Sequence, residues 1–110
     1  MNDKLTGLLG LSRRAGHLAC GFDAAAGLLK ARRAHLVLLA RDLSDKTEKE
    51  LRFIGKDGTA DIVRIPQDMA AVSRALGMKK PVGVVAVDDR GFAAAMKKHI
   101  CPDLEEDEAL

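Results

Sequence analysis

Four side chains in this sequence have the types and spacing of a metal site. His17 and Cys20 are three positions apart and His99 and Cys101 two apart, so the two pairs would complete a tetrahedral zinc site if their segments met. Zinc-binding pairs usually sit on tight turns, whereas these flank a short apolar run and the end of a helical pattern. The expectation is therefore two buried thiols, two surface imidazoles and no metal. Asp88 and Asp89 follow an apolar run, where catalytic carboxylates often stand in α/β proteins. They also open the next helical pattern, where acids complement the helix dipole, and that reading is adopted. "GFDAAAG" has glycines six apart, Gly21 and Gly27, but lacks the Gly-Lys-Ser/Thr that holds phosphate and magnesium. No G-x-G-x-x-G, G-x-S-x-G or H-E-x-x-H string occurs either. No catalytic residue and no cofactor are expected.

The remaining chemistry is cationic. The formal charge of +2 conceals an asymmetry, because "DLEEDEAL" carries five acids (Asp103, Glu105, Glu106, Asp107, Glu108) and no base. Residues before it hold 18 bases against 11 acids, a net +7, which suits a polyanionic partner. Residues 101–110 are expected to be a solvated, disordered tail; the alternative is that they cover the basic face when no ligand is bound. Arg13-Arg14 and Lys30, Arg32 and Arg33 end helical patterns, where cations offset the negative dipole end. "MKKP" (Met78 to Pro81) lies off any helix end, so the dipole does not account for it.

The length of 110 residues fits one domain, 1–100, and a composition with three Phe and no Trp or Tyr requires an aliphatic core. No apolar run is long enough to span a membrane and no apolar leader suggests export, so the cytoplasm is expected. Leu5, Leu8 and Leu9 have helical spacing, stopped at Ala15-Gly16. "HLACG" is a strand candidate, followed by an amphipathic helix with Phe22, Ala25, Ala26 and Leu29 inward, ending near Arg33. "HLVLLA" (His35 to Ala40) and "PVGVVAV" (Pro81 to Val87) are continuously apolar and read as strands covered on both faces. Asp45 with Glu48 resembles a capping box for a third helix, with Leu51 and Ile54 inward and Gly58 past its end. "DIVRI" alternates like an edge strand, Met69, Val72 and Leu76 mark a fourth helix stopped by Gly77, and "GFAAAMKKH" is the last helix. Four strands alternating with helices make a three-layer α/β/α sandwich the economical fold.

The second helix is the unusual element. Opposite Phe22 and Leu29 it carries Asp23, Ala24, Gly27, Lys30, Ala31 and Ala34, a nearly bare face. An interior helix glycine costs about 1 kcal/mol relative to alanine. Gly27 therefore implies close approach by a ligand or another backbone, unless another part of the fold covers it. Beginning at Gly21-Phe22, the helix also presents unsatisfied N–H groups and a positive dipole end suited to phosphate.

"GLLGLSRRAGHLACG", "AHLVLLARDLS" and "ALGMKKPVGVVAVDDRGFA" together resemble the bacterial YlxQ-type proteins, relatives of the archaeal ribosomal protein L-seven-Ae, from about Leu5 to Met96. The resemblance implies an α/β/α sandwich on a four-stranded mixed sheet. It further implies a non-catalytic RNA-binding function, through the start of helix two and the loop before the last strand. Kink-turn binders of that family open helix two with Gly, any residue, Asn, Glu, then Lys three positions later. Here Gly21 matches, but Asp23, Ala24 and Gly27 occupy the Asn, Glu and Lys positions. The amide and carboxylate read sheared G·A pairs, so this departure implies weakened or lost kink-turn readout.

The expected RNA surface comprises Arg13, Arg14, Gly21, Phe22, Asp23, Ala24, Gly27, Lys30, Met78, Lys79, Lys80 and Pro81. Met78 and Pro81 would stack on a base while the cations neutralise phosphates. The expected partner is a structured RNA, ribosomal or other, with no membrane partner and a monomeric chain. The competing expectation is a protein-interaction adapter or weak homodimer built on Ala24, Gly27 and Ala31.

Overall fold

The structure is a computed structural model that describes residues 3–100. The acidic segment 101–110 and Cys101 lie outside the described residues. In chain order the described elements are α1 (Asp3–Arg14), β1 (Leu18–Cys20), α2 (Phe22–Lys30), β2 (Leu36–Leu39), α3 (Asp45–Ile54), β3 (Asp61–Arg64), α4 (Met69–Leu76), β4 (Val84–Val87) and α5 (Arg90–Ile100). Among these residues no helix is long and apolar enough to cross a membrane.

The strands form one mixed sheet in the order β1-β4-β2-β3, with β4 antiparallel to both neighbours and β3 parallel to β2. The apolar runs dictate this arrangement. Every residue of β2 and β4 is buried, because successive side chains of a strand point to opposite faces and both faces are covered. Leu36, Leu38, Val85 and Val87 pack with Leu5, Leu9, Val72, Leu76, Ala93 and Met96 of α1, α4 and α5. Val37, Leu39, Val84 and Ala86 pack with Ala25, Leu29 and Leu51 of α2 and α3. The result is the expected three-layer α/β/α sandwich, with β3, the alternating strand, at an edge.

Helix boundaries depart from the sequence reading at three places. α2 stops at Lys30 rather than Arg33: Arg32 takes a left-handed φ of 57°, and the Arg33 amide closes back on the Leu28 carbonyl at 2.9 Å. Ala34 thus lies off the helix and is buried against the α2/α3 layer, so it is not part of the bare face. α3 is capped by Ser44, not Asp45, its hydroxyl accepting from the Thr47 amide at 3.2 Å. That helix ends at Ile54, where Gly55 fits because an added Cβ would stand 3.0 Å from the Leu29 side chain. β4 begins at Val84 rather than Pro81, since proline has no N–H and the Val82 amide donates instead to the Ser73 hydroxyl at 2.8 Å.

Candidate nucleic-acid interface

Gly21 caps α2 with φ 97° and ψ 165°, a backbone region that essentially only glycine adopts. No side chain caps the helix, so the first-turn N–H groups of α2 have no side-chain acceptor among the described residues. The Gly21 amide itself is used, donating to the Val84 carbonyl at 2.8 Å. That bond matters because Val84 is the first residue of β4, directly after the segment 77–83 that carries Lys79 and Lys80. Pairing of Cys20 with Val85 continues the register, which seats the start of α2 beside the end of the basic loop.

The loop has a fixed backbone. Gly77 adopts the left-handed conformation that ends α4, and the Met78 amide donates to the Ser73 carbonyl at 2.9 Å. Ser73, buried within α4, donates its hydroxyl to the Lys80 carbonyl at 2.9 Å while accepting from Val82. Lys79, Lys80 and Pro81 are exposed, whereas Met78 is half-buried against the α1/α4/α5 layer. Gly83 ends the loop where a Cβ would meet Leu43 at 2.8 Å.

Arg13 joins the two segments. Its guanidinium donates to the Leu76 carbonyl at 3.2 Å, just before the loop, and its charge acts on the Cys20 thiol, just before Gly21. Burial pushes the Cys20 thiol above its ordinary value, and Arg13 pulls part of the way back by charge. Arg14 is exposed on the same last turn of α1.

On α2 itself, Ala25, Ala26 and Leu29 are buried and Phe22 is half-buried against the core between the sheet and the α2/α3 layer. Asp23, Ala24, Gly27, Lys30 and Ala31 are exposed. A Cβ added to Gly27 would meet nothing within 4 Å, so no part of the described fold covers it or approaches it closely. The Gly21–Val84 and Arg13–Leu76 hydrogen bonds tie the start of α2 and the end of α1 to the two ends of the segment that carries Lys79 and Lys80. Met78 and Phe22 contribute to cores as well as surface.

The other chemical candidates resolve differently. His17 is a surface imidazole that is also paired: its Nδ1 lies 2.9 Å from Asp88 Oδ1, and the ring sits 6.1 Å from that of Phe92. Cys20 is half-buried and unpaired, and Cys101 lies outside the described residues. Among the described residues no three His, Cys, Asp or Glu side chains converge to hold a metal. Asp89 does sit at the start of α5, accepting from the Phe92 amide at 2.8 Å, while Asp88 ties the end of β4 to His17. The residue that sequence reasoning missed is Ser73. Its signal was available: a hydroxyl on the apolar stripe between Val72 and Leu76 calls for a buried hydrogen-bond partner.

Residues 3–97 match the model of the Ribosomal protein L7Ae/L30e/S12e/Gadd45 family. The chain is 34% identical over 90 residues to the RNA-binding protein YlxQ of Bacillus subtilis (strain 168), spanning 78% of this chain and 84% of that one. Among solved structures, a protein of unknown function from Bacillus halodurans C matches with TM-score 0.77 and 26% identity over 84% of this chain and 92% of that one. The 15.5kD RNA binding protein of Giardia lamblia shares the fold alone, with TM-score 0.70 and 21% identity over 94% of this chain and 86% of that one. The family match covers nearly the whole sandwich, so the chain belongs to the ribosomal protein L7Ae/L30e/S12e/Gadd45 family, as a YlxQ-type member.

Proposed function

We propose that this protein binds structured RNA, without catalysis, through the start of α2, its small-residue face and the basic loop before β4. The observation that supports the reading is the Gly21 to Val84 hydrogen bond, which ties the uncapped start of α2 to the strand that follows the Lys79-Lys80 segment. Support also comes from the B. subtilis relative, an RNA-binding protein by name. In this reading the α2 amides and Arg13, Arg14, Lys30, Lys79 and Lys80 neutralise phosphates, and the ribose-phosphate strand runs over Ala24, Gly27 and Ala31. Met78 offers its exposed edge and Pro81 its ring to a base. Phe22 sets the helix against the sheet.

Asp23 and Ala24 lack the amide and carboxylate that would read sheared G·A pairs, so the proposed binding depends on backbone charge and shape more than on the kink-turn signature. Fluorescence anisotropy with a structured RNA tests this. Affinity should fall on the order of tenfold to a hundredfold over a fourfold rise in salt, because several phosphates exchange counterions for Lys and Arg. Charge reversal at Lys79 and Lys80 should lower both the affinity and the salt slope. A flat salt response would reject the proposal. Loss of a dimeric mass in Gly27→Glu with RNA retention unchanged would replace it with the protein-adapter reading.

A further inference from the structure

Two turns flank the strand that leaves the basic segment. Gly83 and Val84 are consecutive, and their carbonyls accept from Ala40 at 2.9 Å on the β2 side and from Gly21 at 2.8 Å on the β1 side. The turn between β2 and α3, residues 40–44, is thus tied to the same stretch of backbone as the start of α2. The Leu43 side chain reinforces this, lying 2.8 Å from where a Cβ on Gly83 would stand. Arg64, on the edge strand β3, holds that turn in shape. Its Nη1 donates to the carbonyls of Ala40, Arg41 and Leu43 at 3.3, 2.9 and 2.8 Å, while its Nε and Nη2 engage the Glu48 carboxylate. The Arg41 amide donates to the Gln67 carbonyl at 2.8 Å and Asp42 accepts from the Met69 amide at 2.9 Å, so the turn is fixed on its other side as well. What this turn presents is the Arg41 side chain, 66% exposed and 3.5 Å from Asp68. Arg41 and Arg74 line one concavity of about 490 Å³, and Arg74 has no ion pair among the described residues. Two guanidiniums face one carboxylate there, so positive charge remains.

We infer that Arg41 is a further phosphate contact of the RNA surface and that Arg64 is the positioning residue that presents it. The inference rests on the RNA-binding reading above and extends its surface across β4 to the β2–α3 turn. Both positions call for arginine. At position 64 a planar fork serves a carboxylate with one edge and three carbonyls with another, which a single ammonium does not. At position 41 an exposed guanidinium pairs with a carboxylate that also accepts from the Ala71 amide. Exposed ion pairs contribute little, so a phosphate can displace Asp68 and be gripped by the same fork. Because the backbone beneath Arg41 is already fixed, little freedom is lost when it meets the strand.

Anisotropy of a fluorescein-labelled, bulged hairpin RNA titrated with the full chain over a range of salt, paired with thermal melts, is the test. Arg41→Gln should lower affinity roughly threefold to tenfold and leave Tm unchanged. It should also reduce the slope of log affinity against log salt by about 0.7–0.9, the share of one phosphate. Arg41→Lys should restore that slope, because the ammonium replaces the charge. Arg64→Lys keeps the charge but not the fork, and should lower both Tm and affinity. Adding Arg41→Gln to it should then cost less than about twofold, since a side chain on a loosened turn no longer meets its phosphate. A merely structural Arg64 would leave the Arg41 loss undiminished in that background. Should Arg64→Lys not fold, Glu48→Gln loosens the same guanidinium from its other edge and repeats the cycle. Full affinity and full slope in Arg41→Gln overturn the contact, and additive losses overturn the positioning role. Charge reversal at Lys79 and Lys80 separates this inference from the reading beneath it: no effect there rejects the RNA surface itself, whereas a loss there with Arg41→Gln unchanged rejects only the extension.

Discussion

The Gly21 amide and the Val84 carbonyl, 2.8 Å apart, couple the start of one helix to the strand that follows the basic loop. Because the amide is aimed by a φ of 97°, the geometry belongs to glycine. Gly21→Ala should cost about 1–3 kcal/mol of stability, visible as several degrees of Tm. RNA affinity should fall further than the stability loss explains, since the helix N-terminus shifts with the bond. Thermal melts paired with anisotropy check both.

Gly27 allows stability and binding to be separated. With open space where its Cβ would go, Gly27→Ala should stabilise the chain by about 0.5–1 kcal/mol through helix propensity. Gly27→Glu adds bulk and negative charge to the same face and should leave Tm within a few degrees while abolishing RNA retention. Equal RNA affinity in all three proteins would show that the strand does not cross this face.

Acid stability should depend on Glu48. Hydrogen bonds from Arg64 and Arg52 hold its carboxyl below the usual carboxylate range. A depressed folded value means that its stabilisation is complete above the unfolded value, about 4.3, and disappears as pH falls through the lower folded value. Glu48→Gln should lower Tm by roughly 3 °C at neutral pH and flatten the Tm profile below pH about 4. Melts across that range decide it. Retention of the full acid slope in the variant would place the titration elsewhere.

The Cys20 thiol should alkylate slowly at neutral pH, because burial raises its pKa. Arg13 works in the opposite direction, so Arg13→Gln should raise the value further and slow alkylation by about threefold. The measurement uses a Cys101→Ser background so that only one thiol reports. Faster reaction in Arg13→Gln would mean that access, not charge, controls the thiol.

The sandwich was legible because its signals are local. β2 and β4 appear in the sequence as unbroken apolar runs, which only a strand covered on both faces tolerates, and Gly16 and Gly77 punctuate helices where the backbone turns left-handed. The Ser44 cap was missed because Asp45 and Glu48 form an equally good local pattern one residue later. Glu48 was instead claimed by Arg64 from the neighbouring strand, a partner distant in sequence. The same limit applies to the site. Glycine placement and the lysine pair are visible in one dimension, but their meeting depends on β1 and β4 pairing across more than sixty residues. The concavity lined by Leu5, Arg41, Gln67, Arg74 and Ile100 left no sequence trace, since its walls come from four separate segments.

A single hydroxyl, that of Ser73, gives one hydrogen bond to the Lys80 carbonyl and takes another from the Val82 amide. The cationic loop therefore borrows its shape from the protein interior and holds that shape before any partner arrives. In the proposed complex the adjustment on association falls on the nucleic acid, and little binding energy is lost to ordering the polypeptide. RNAs already bent to suit the surface should consequently outcompete flexible ones of equal charge.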